Sequence, residues 1–131
     1  MYCPQSFTKQ ERLSDKKKIE ELFETGKVFN LSPYKVIYLF DQSGQCPLRM
    51  LIAVPGKTYR KAVQRNRIRR ITREAYRKNK LNLLNTIKAR GNSLSMILIY
   101  TDKTILSYKE IEQKIILILQ RLLSENEQSV Q

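Results

Sequence analysis

The chain reads as a single α+β domain, and three observations predict that class. Its 131 residues at 41% hydrophobic content suit one globular domain with a real core. Residues 34–40, 48–54 and 94–100 form short runs rich in β-branched, aromatic and aliphatic side chains, as strands require. Around them stand stretches whose apolar residues recur with the helical period. The predicted order is helix, strand, strand, strand, helix, strand, helix. No internal repeat or linker divides the chain, so the domain spans 1–131.

Residues 1–13 form an irregular entry segment with Phe7 and Leu13 as its apolar anchors. Ser14 is placed to cap a helix over 15–25, with Asp15 favourable in its first turn and Gly26 as its stop. Ile19, Leu22 and Phe23 share one face of that helix and suit packing on a sheet. Residues 28–31 and 34–40 read as a strand region broken by Ser32-Pro33, where Pro33 suits only an edge or a bulge. Residues 41–47 have the composition of a turn. Residues 48–54, Leu-Arg-Met-Leu-Ile-Ala-Val, are apolar enough for a central strand. A helix over 62–80 is free of Gly and Pro and continues through Leu84, with Ile87 beyond. Residues 90–93 break it, 94–100 form the last strand, and 101–106 form a loop. Ser107 caps the last helix with Glu110 three residues on. Ile111, Ile115, Ile118, Leu119 and Leu122 are its buried stripe. Residues 124–131 are expected to be a frayed polar tail.

The charge is concentrated in residues 57–80. This stretch holds eleven Lys or Arg and one acid, Glu74, a net +10 of the chain's formal +13. On a helical projection Arg65, Arg69, Arg73 and Arg77 fall within an arc of about 120°, with Asn66 inside it and Arg70 at its edge. Ile68, Ile71 and Ala75 fall nearly opposite and are the expected docking face. Like charges four residues apart oppose helix formation, and ordinary solvated faces mix Lys with Glu to avoid this. The row therefore implies a polyanionic partner rather than a merely soluble surface. Arg is the better residue where planar, forked donors must match phosphate oxygens.

Other functions are excluded or weakened by what the chain lacks. It has no histidine, which removes His-based acid–base catalysis, His-dependent triads and the common zinc sites. Cys3 and Cys46 form no C-x-x-C and read as ordinary reduced thiols. No apolar run approaches the ~18 residues of a membrane span, and no apolar signal segment stands at residue 1, which predicts a cytoplasmic protein without membrane contact. Gly56-Lys57-Thr58 echoes the end of a phosphate-binding loop, but the first glycine of that motif would fall on Leu51. The acids are scattered: Glu20, Glu21 and Glu24 early, Glu110 and Glu112 late, Glu74 alone in the basic stretch. A protein nuclease needs a base or clustered carboxylates for metal ions, so no cleavage of RNA by this chain alone is expected.

The run Ala62-Val63-Gln64-Arg65-Asn66-Arg67-Ile68-Arg69-Arg70, followed by Arg73-Glu74-Ala75-Tyr76-Arg77, resembles the Arg-Asn-Arg signature of the protein subunit of bacterial ribonuclease P. Glu11-Arg12-Leu13 resembles that family's short entry. The resemblance implies a mixed four-stranded sheet with a left-handed strand–helix–strand crossover, against the usual rule. It implies an RNA-binding subunit that assists a catalytic RNA in removing the 5′ leader of precursor tRNA. The protein alone would bind no cofactor, magnesium would be held mainly by the RNA, and the isolated protein would be a monomer. The signature residues would be Arg65, Asn66, Arg67, Arg69, Arg70, Arg73 and Arg77, facing catalytic RNA and leader. Lys57, Arg60 and Lys61 keep the preceding loop basic. That loop is one residue longer than the common family form and lacks its Gly two before Ala62. The first helix would wall a leader cleft. Ile19 and Phe23 match family positions that are usually aromatic; Ile19 departs from this, and Phe23 can stack a base or fill the core. Tyr34 matches an aromatic position facing that cleft. A general RNA-binding or ribosomal protein is the alternative that composition allows; a DNA-binding regulator is disfavoured, because the basic helix follows a strand rather than a helix and tight turn.

Overall fold

The computed structural model describes residue 13 and residues 16–41, 48–89 and 91–129. Ser14, Asp15, Phe7, Cys3, Cys46 and the expected turn over 42–47 lie outside the described residues. The elements are α1 (Lys16–Thr25), β1 (Lys27–Leu31), β2 (Tyr34–Asp41), β3 (Leu48–Ala53), α2 (Ala62–Asn79), α3 (Leu81–Ala89), β4 (Ser93–Tyr100) and α4 (Tyr108–Ser129). The four strands make one mixed sheet in the order β1-β2-β4-β3. β1 and β2 are an antiparallel hairpin closed at Leu31 and Tyr34 around Ser32-Pro33, a cis peptide. β2 pairs antiparallel with β4, and β4 pairs parallel with β3.

Side chains alternate across a strand, so each strand supplies both layers beneath its faces. On one face Val36, Tyr38, Met50, Ile52, Met96 and Leu98 meet Ile68, Ala75 and Tyr76 of α2 and the stripe of α4, including Ile111, Ile115 and Leu122. On the other face α1 lays Leu22 over Ile37 and Ile97, with Leu13 beside them. Between α1 and β1 the chain passes so close to itself that a Cβ on Gly26 would collide with the Leu22 carbonyl oxygen and press on the Ile37 methyl at 3.0 Å. Gly26 also closes α1, its N–H bonding the Leu22 carbonyl at 2.9 Å.

Three expectations are corrected here. β3 carries aliphatic side chains on both faces yet lies at the sheet's edge rather than its centre. Leu48, Met50 and Ile52 are buried on the side that faces α2, while Arg49, Leu51 and Ala53 on the other side are only half-buried, Leu51 and Ala53 beside the cluster that holds Leu13 and Leu22. The Leu13 N–H also bonds the Met50 carbonyl at 3.0 Å, taking up part of the open edge. The helical stretch after β3 is two segments, because the chain bends at Lys80 between α2 and α3. The Leu84 N–H still bonds the Lys80 carbonyl at 2.9 Å, and Lys80 itself keeps helical dihedrals at φ −78° and ψ −16°. Finally, the tail from Ser124 is helical to Ser129. Its residues are polar but include no Gly or Pro, and Arg121 faces Glu125 one turn on at 3.9 Å. The Ser107 cap is as expected: its hydroxyl accepts from the Glu110 N–H at 3.3 Å and donates to the Glu110 carboxylate at 3.1 Å.

Candidate nucleic-acid interface

The basic surface begins where β3 ends. Residues 54–61 carry the chain from the sheet edge to the start of α2, and Val54 and Tyr59 are buried while Lys57, Arg60 and Lys61 are exposed. Tyr59 fixes this loop. Its ring lies 6.1 Å from that of Tyr100, its hydroxyl donates to the Asp102 carbonyl at 3.0 Å, and its N–H donates to the Pro55 carbonyl at 3.2 Å. Arg65, one turn inside α2, reaches back and donates through Nη1 to the carbonyls of Tyr59 and Arg60, both at 2.8 Å. α2 opens on Lys61, extended at φ −81° and ψ 129°, with no side-chain cap and no acid in its first turn. The positive end of the helix and the cations around it therefore reinforce one another.

Burial along α2 rotates the helix relative to the sequence expectation. Ile68, Thr72, Ala75 and Tyr76 form its buried face; Ile71, expected there, is only partly buried. The face turned fully to solvent carries Val63, Asn66, Arg67, Arg70 and Lys78. Arg65, Arg69, Arg73 and Arg77 run along the flank and are half-buried. The reason lies in Thr72 and Tyr76. The sequence projection treats them as bystanders, but they extend the docking face towards the Arg row. The Thr72 hydroxyl meets the Tyr34 hydroxyl at 2.6 Å, deep in the core.

The cations of the row therefore differ. Arg67, Arg70, Lys57, Arg60 and Lys61 are exposed, and Arg69 makes only a 3.5 Å contact with the Asn66 amide oxygen. Arg77 is engaged by Glu74 in a fork, Nη2 to Oε1 at 2.6 Å and Nε to Oε2 at 3.2 Å, with Lys78 at 4.0 Å from the same carboxylate. The Arg77 hydrogen bonds hold the Glu74 carboxyl below the usual carboxylate range. The sole acid of the stretch thus offsets part of the charge at its C-terminal end, and most of the exposed cations lie on the N-terminal half of α2 and the loop before it.

Phe23 stands on α1 with 59% of its surface exposed, and Ile19 beside it is partly buried against the sheet. Tyr34 does not share that wall: it is 1% exposed and points to the opposite face of the sheet. The physical reason is the two-residue alternation of β2, which sends Tyr34, Val36 and Tyr38 towards α2 and α4, and Lys35, Ile37 and Leu39 towards α1. Burial pushes the Tyr34 phenol far above its ordinary ionisation range. On the α1 face the register aligns Asn30, Lys35, Ile99 and Ala53 in a row across all four strands, and none of the four is fully buried. This open row ends at the β3 terminus from which the basic loop departs. Sequence reasoning missed Lys35 and Tyr59; strand register locates the first, and no local signal marks the second. Among the described residues no group of three or more His, Cys, Asp or Glu could hold a metal ion, and no helix is long and apolar enough to cross a membrane.

Comparison with known proteins gives a consistent picture. Residues 7–123 match the family model described as Ribonuclease P. A protein of Porphyromonas gingivalis named ribonuclease P protein component is 40% identical over 90 residues, covering 66% of this chain and 65% of that protein's length. One of Borreliella afzelii with the same name is 33% identical over 101 residues, covering 76% of this chain and 85% of its own. Among solved structures, the RNase P protein of Staphylococcus aureus superposes with a TM-score of 0.69 at 18% identity, over 86% of this chain and 94% of that one. The RNase P protein of Thermotoga maritima does so with a TM-score of 0.65 at 23% identity, over 85% of this chain and 96% of that one. These structural likenesses carry the fold.

Proposed function

The chain belongs to the bacterial ribonuclease P protein family, and from that premise we propose that it is the RNA-binding subunit of a ribonuclease P holoenzyme. In this reading it assists a catalytic RNA in endonucleolytic removal of the 5′ leader from precursor tRNA, in the cytoplasm, as a monomer when isolated. The observation that supports it most is the exposed cationic surface made by Lys57, Arg60, Lys61, Arg67 and Arg70, with Asn66 among them and no acid within residues 57–73. Such a surface offsets the repulsion between two polyanions, catalytic RNA and substrate.

The substrate leader would lie along the α1 side of the sheet. Phe23 offers a ring to a base, Lys35 offers charge to a phosphate, and the open row leads to the basic loop. Charge and stacking are indifferent to base identity, so leaders of varied sequence would be accepted. Magnesium, held mainly by the RNA, would supply charge neutralisation at the scissile phosphate. The residues of this chain orient RNA around it, and the described ones offer no acidic cluster to replace it.

The test is reconstitution. Protein freed of RNA should cleave precursor tRNA at no specific site, with or without magnesium. Combined with a bacterial ribonuclease P RNA at limiting magnesium, it should raise the rate of 5′-leader removal. Site-specific cleavage by rigorously RNA-free protein would overturn the division of labour. Failure to bind that RNA, with ribosomal RNA co-purifying instead, would overturn the reading itself.

A further inference from the structure

We infer that Arg65, the first arginine of the signature, is a positioning residue that holds the basic loop in place, rather than a contact to phosphate. This rests on the RNA-binding reading above and assigns a role within that same surface. The guanidinium joins two elements: it leaves the first turn of α2 and donates to the Tyr59 and Arg60 carbonyls, each at 2.8 Å. One nitrogen thus satisfies two acceptors of the loop at close to ideal length. Its neighbours differ: Asn66, Arg67 and Arg70 face solvent, while Arg65 is half-buried on the flank.

The join that Arg65 spans has few other supports. Lys61, the residue that opens α2, makes no side-chain capping bond. The Gln64 and Arg65 N–H groups bond the Lys61 carbonyl at 3.1 and 3.2 Å, which closes the first turn but does not tie it to the loop. Tyr59 anchors the loop from the core side through Tyr100 and Asp102. Arg65 anchors it from the helix side. Around these anchors, Lys57, Arg60 and Lys61 are exposed and repel one another. A cation bonded to backbone carbonyls is an economical clamp here, because it adds no carboxylate that would compete with RNA for the loop's charge. Arginine suits the position, since its planar fork presents several N–H groups at fixed angles.

A double-mutant cycle distinguishes a clamp from a phosphate contact. Affinity for a bacterial ribonuclease P RNA is measured for the parent, R65A, R65K, K57A/K61A and K57A/K61A/R65A. Coupling between residues that act through one element is large enough to read, so R65A should weaken binding about fivefold in the parent and less than about twofold in the K57A/K61A background. R65K, which keeps the charge but loses the fork, should behave more like R65A than like the parent. In parallel, amide hydrogen exchange of the free protein should speed at Tyr59 and Gln64 in R65A, while strand β4 amides stay protected. An equal loss in both backgrounds, or unchanged exchange at Tyr59 and Gln64, would overturn the inference. If even the parent fails to bind the RNA, the functional reading falls, and the exchange measurement still decides whether Arg65 clamps the loop.

Discussion

The Tyr34 and Thr72 hydroxyls meet at 2.6 Å, tying the start of β2 to the middle of α2 inside the core. Tyr34 is 1% exposed and Thr72 is fully buried, and the Tyr34 ring packs edge-on against Tyr100 at 5.5 Å. This polar link belongs to the buried face of α2, which the roll of the helix on the sheet turns inward. The roll decides which arginines face outward.

Tyr34 should therefore make stability sensitive to alkali. Desolvation is the main force raising its pKa; the Thr72 hydrogen bond opposes it and Tyr100 adds to it. The unfolded chain releases the phenolic proton near pH 10, whereas the folded state retains it. The contribution is thus complete below about pH 10 and declines as pH rises further, by up to about 1.4 kcal/mol per unit. Urea midpoints of Tyr34→Phe should decline less steeply between about pH 10 and 12 than those of the parent. At neutral pH the same variant should lose about 1–2 kcal/mol, because the Thr72 hydroxyl loses its partner. Identical alkaline slopes would mean that Tyr34 ionises freely in the fold.

The buried face of α2 makes a second prediction. Ile68 is 2% exposed, whereas Ile71 only packs against the edge of the core. Ile68→Asp should bury a charge without a partner and cost about 3 kcal/mol or more. Ile71→Asp should cost clearly less, since its carboxylate can turn to water. Thermal melts of the two variants compare them directly, and equal losses would contradict the observed roll of the helix.

This roll marks the limit of what the sequence revealed. The α+β class, the element order and the basic helix followed from local signals: aliphatic runs, helical spacing, and Gly26, Ser107 and Glu110 at helix ends. Those signals are encoded within a few residues. The facing of Tyr34 was not, because in Tyr34-Lys35-Val36-Ile37-Tyr38-Leu39-Phe40 only Lys35 is polar, and the apolar and aromatic residues on both sides of the strand leave the alternation little visible phase. Only pairing fixed it: the Gly26 approach to Ile37 and the packing of Leu22 on Ile37 and Ile97 commit the odd residues to α1. Likewise Thr72 and Tyr76 look amphipathic in sequence, and their burial depends on partners such as Tyr34 from distant segments. The edge position of β3 was hidden for the same reason. The clamp from Arg65 to Tyr59 involves backbone carbonyls, which no residue type announces.

The unequal cations predict an unequal salt response. With about five phosphates neutralised, log K for RNA should fall against log salt with a slope of about −3.5 to −4.5. Arg67→Ala and Arg70→Ala should each make that slope shallower by about 0.7–0.9, because each removes a cation free to meet phosphate. Arg77→Ala should change it little, since Glu74 already holds that guanidinium in a fork and it makes no phosphate contact to lose. Filter-binding titrations across a salt series supply the slopes. A loss for Arg77→Ala equal to that for Arg67→Ala would show that Glu74 yields Arg77 to the RNA.

Phe23 provides the sharpest test of the leader cleft. Its ring is 59% exposed on α1, where a large apolar side chain gains little by burial and is available to stack. Stacking on an aromatic contributes roughly 1–3 kcal/mol per base. Phe23→Ala should therefore weaken holoenzyme binding of leader-bearing precursor tRNA by about tenfold or somewhat more. Mature tRNA, which lacks the leader, should bind as before. Because Phe23 contributes little to the core, the melting temperature of the free protein should hardly move. Tyr34→Ala is the contrasting case. It removes a fully buried ring and should cost about 3–5 kcal/mol of stability, impairing precursor and mature tRNA alike. The two aromatics, both matched to cleft positions by sequence, are thus separated by which ligand and which property each affects. If Phe23→Ala leaves precursor binding intact, or weakens both tRNAs equally, the leader does not run along α1, and the exposed ring has another purpose.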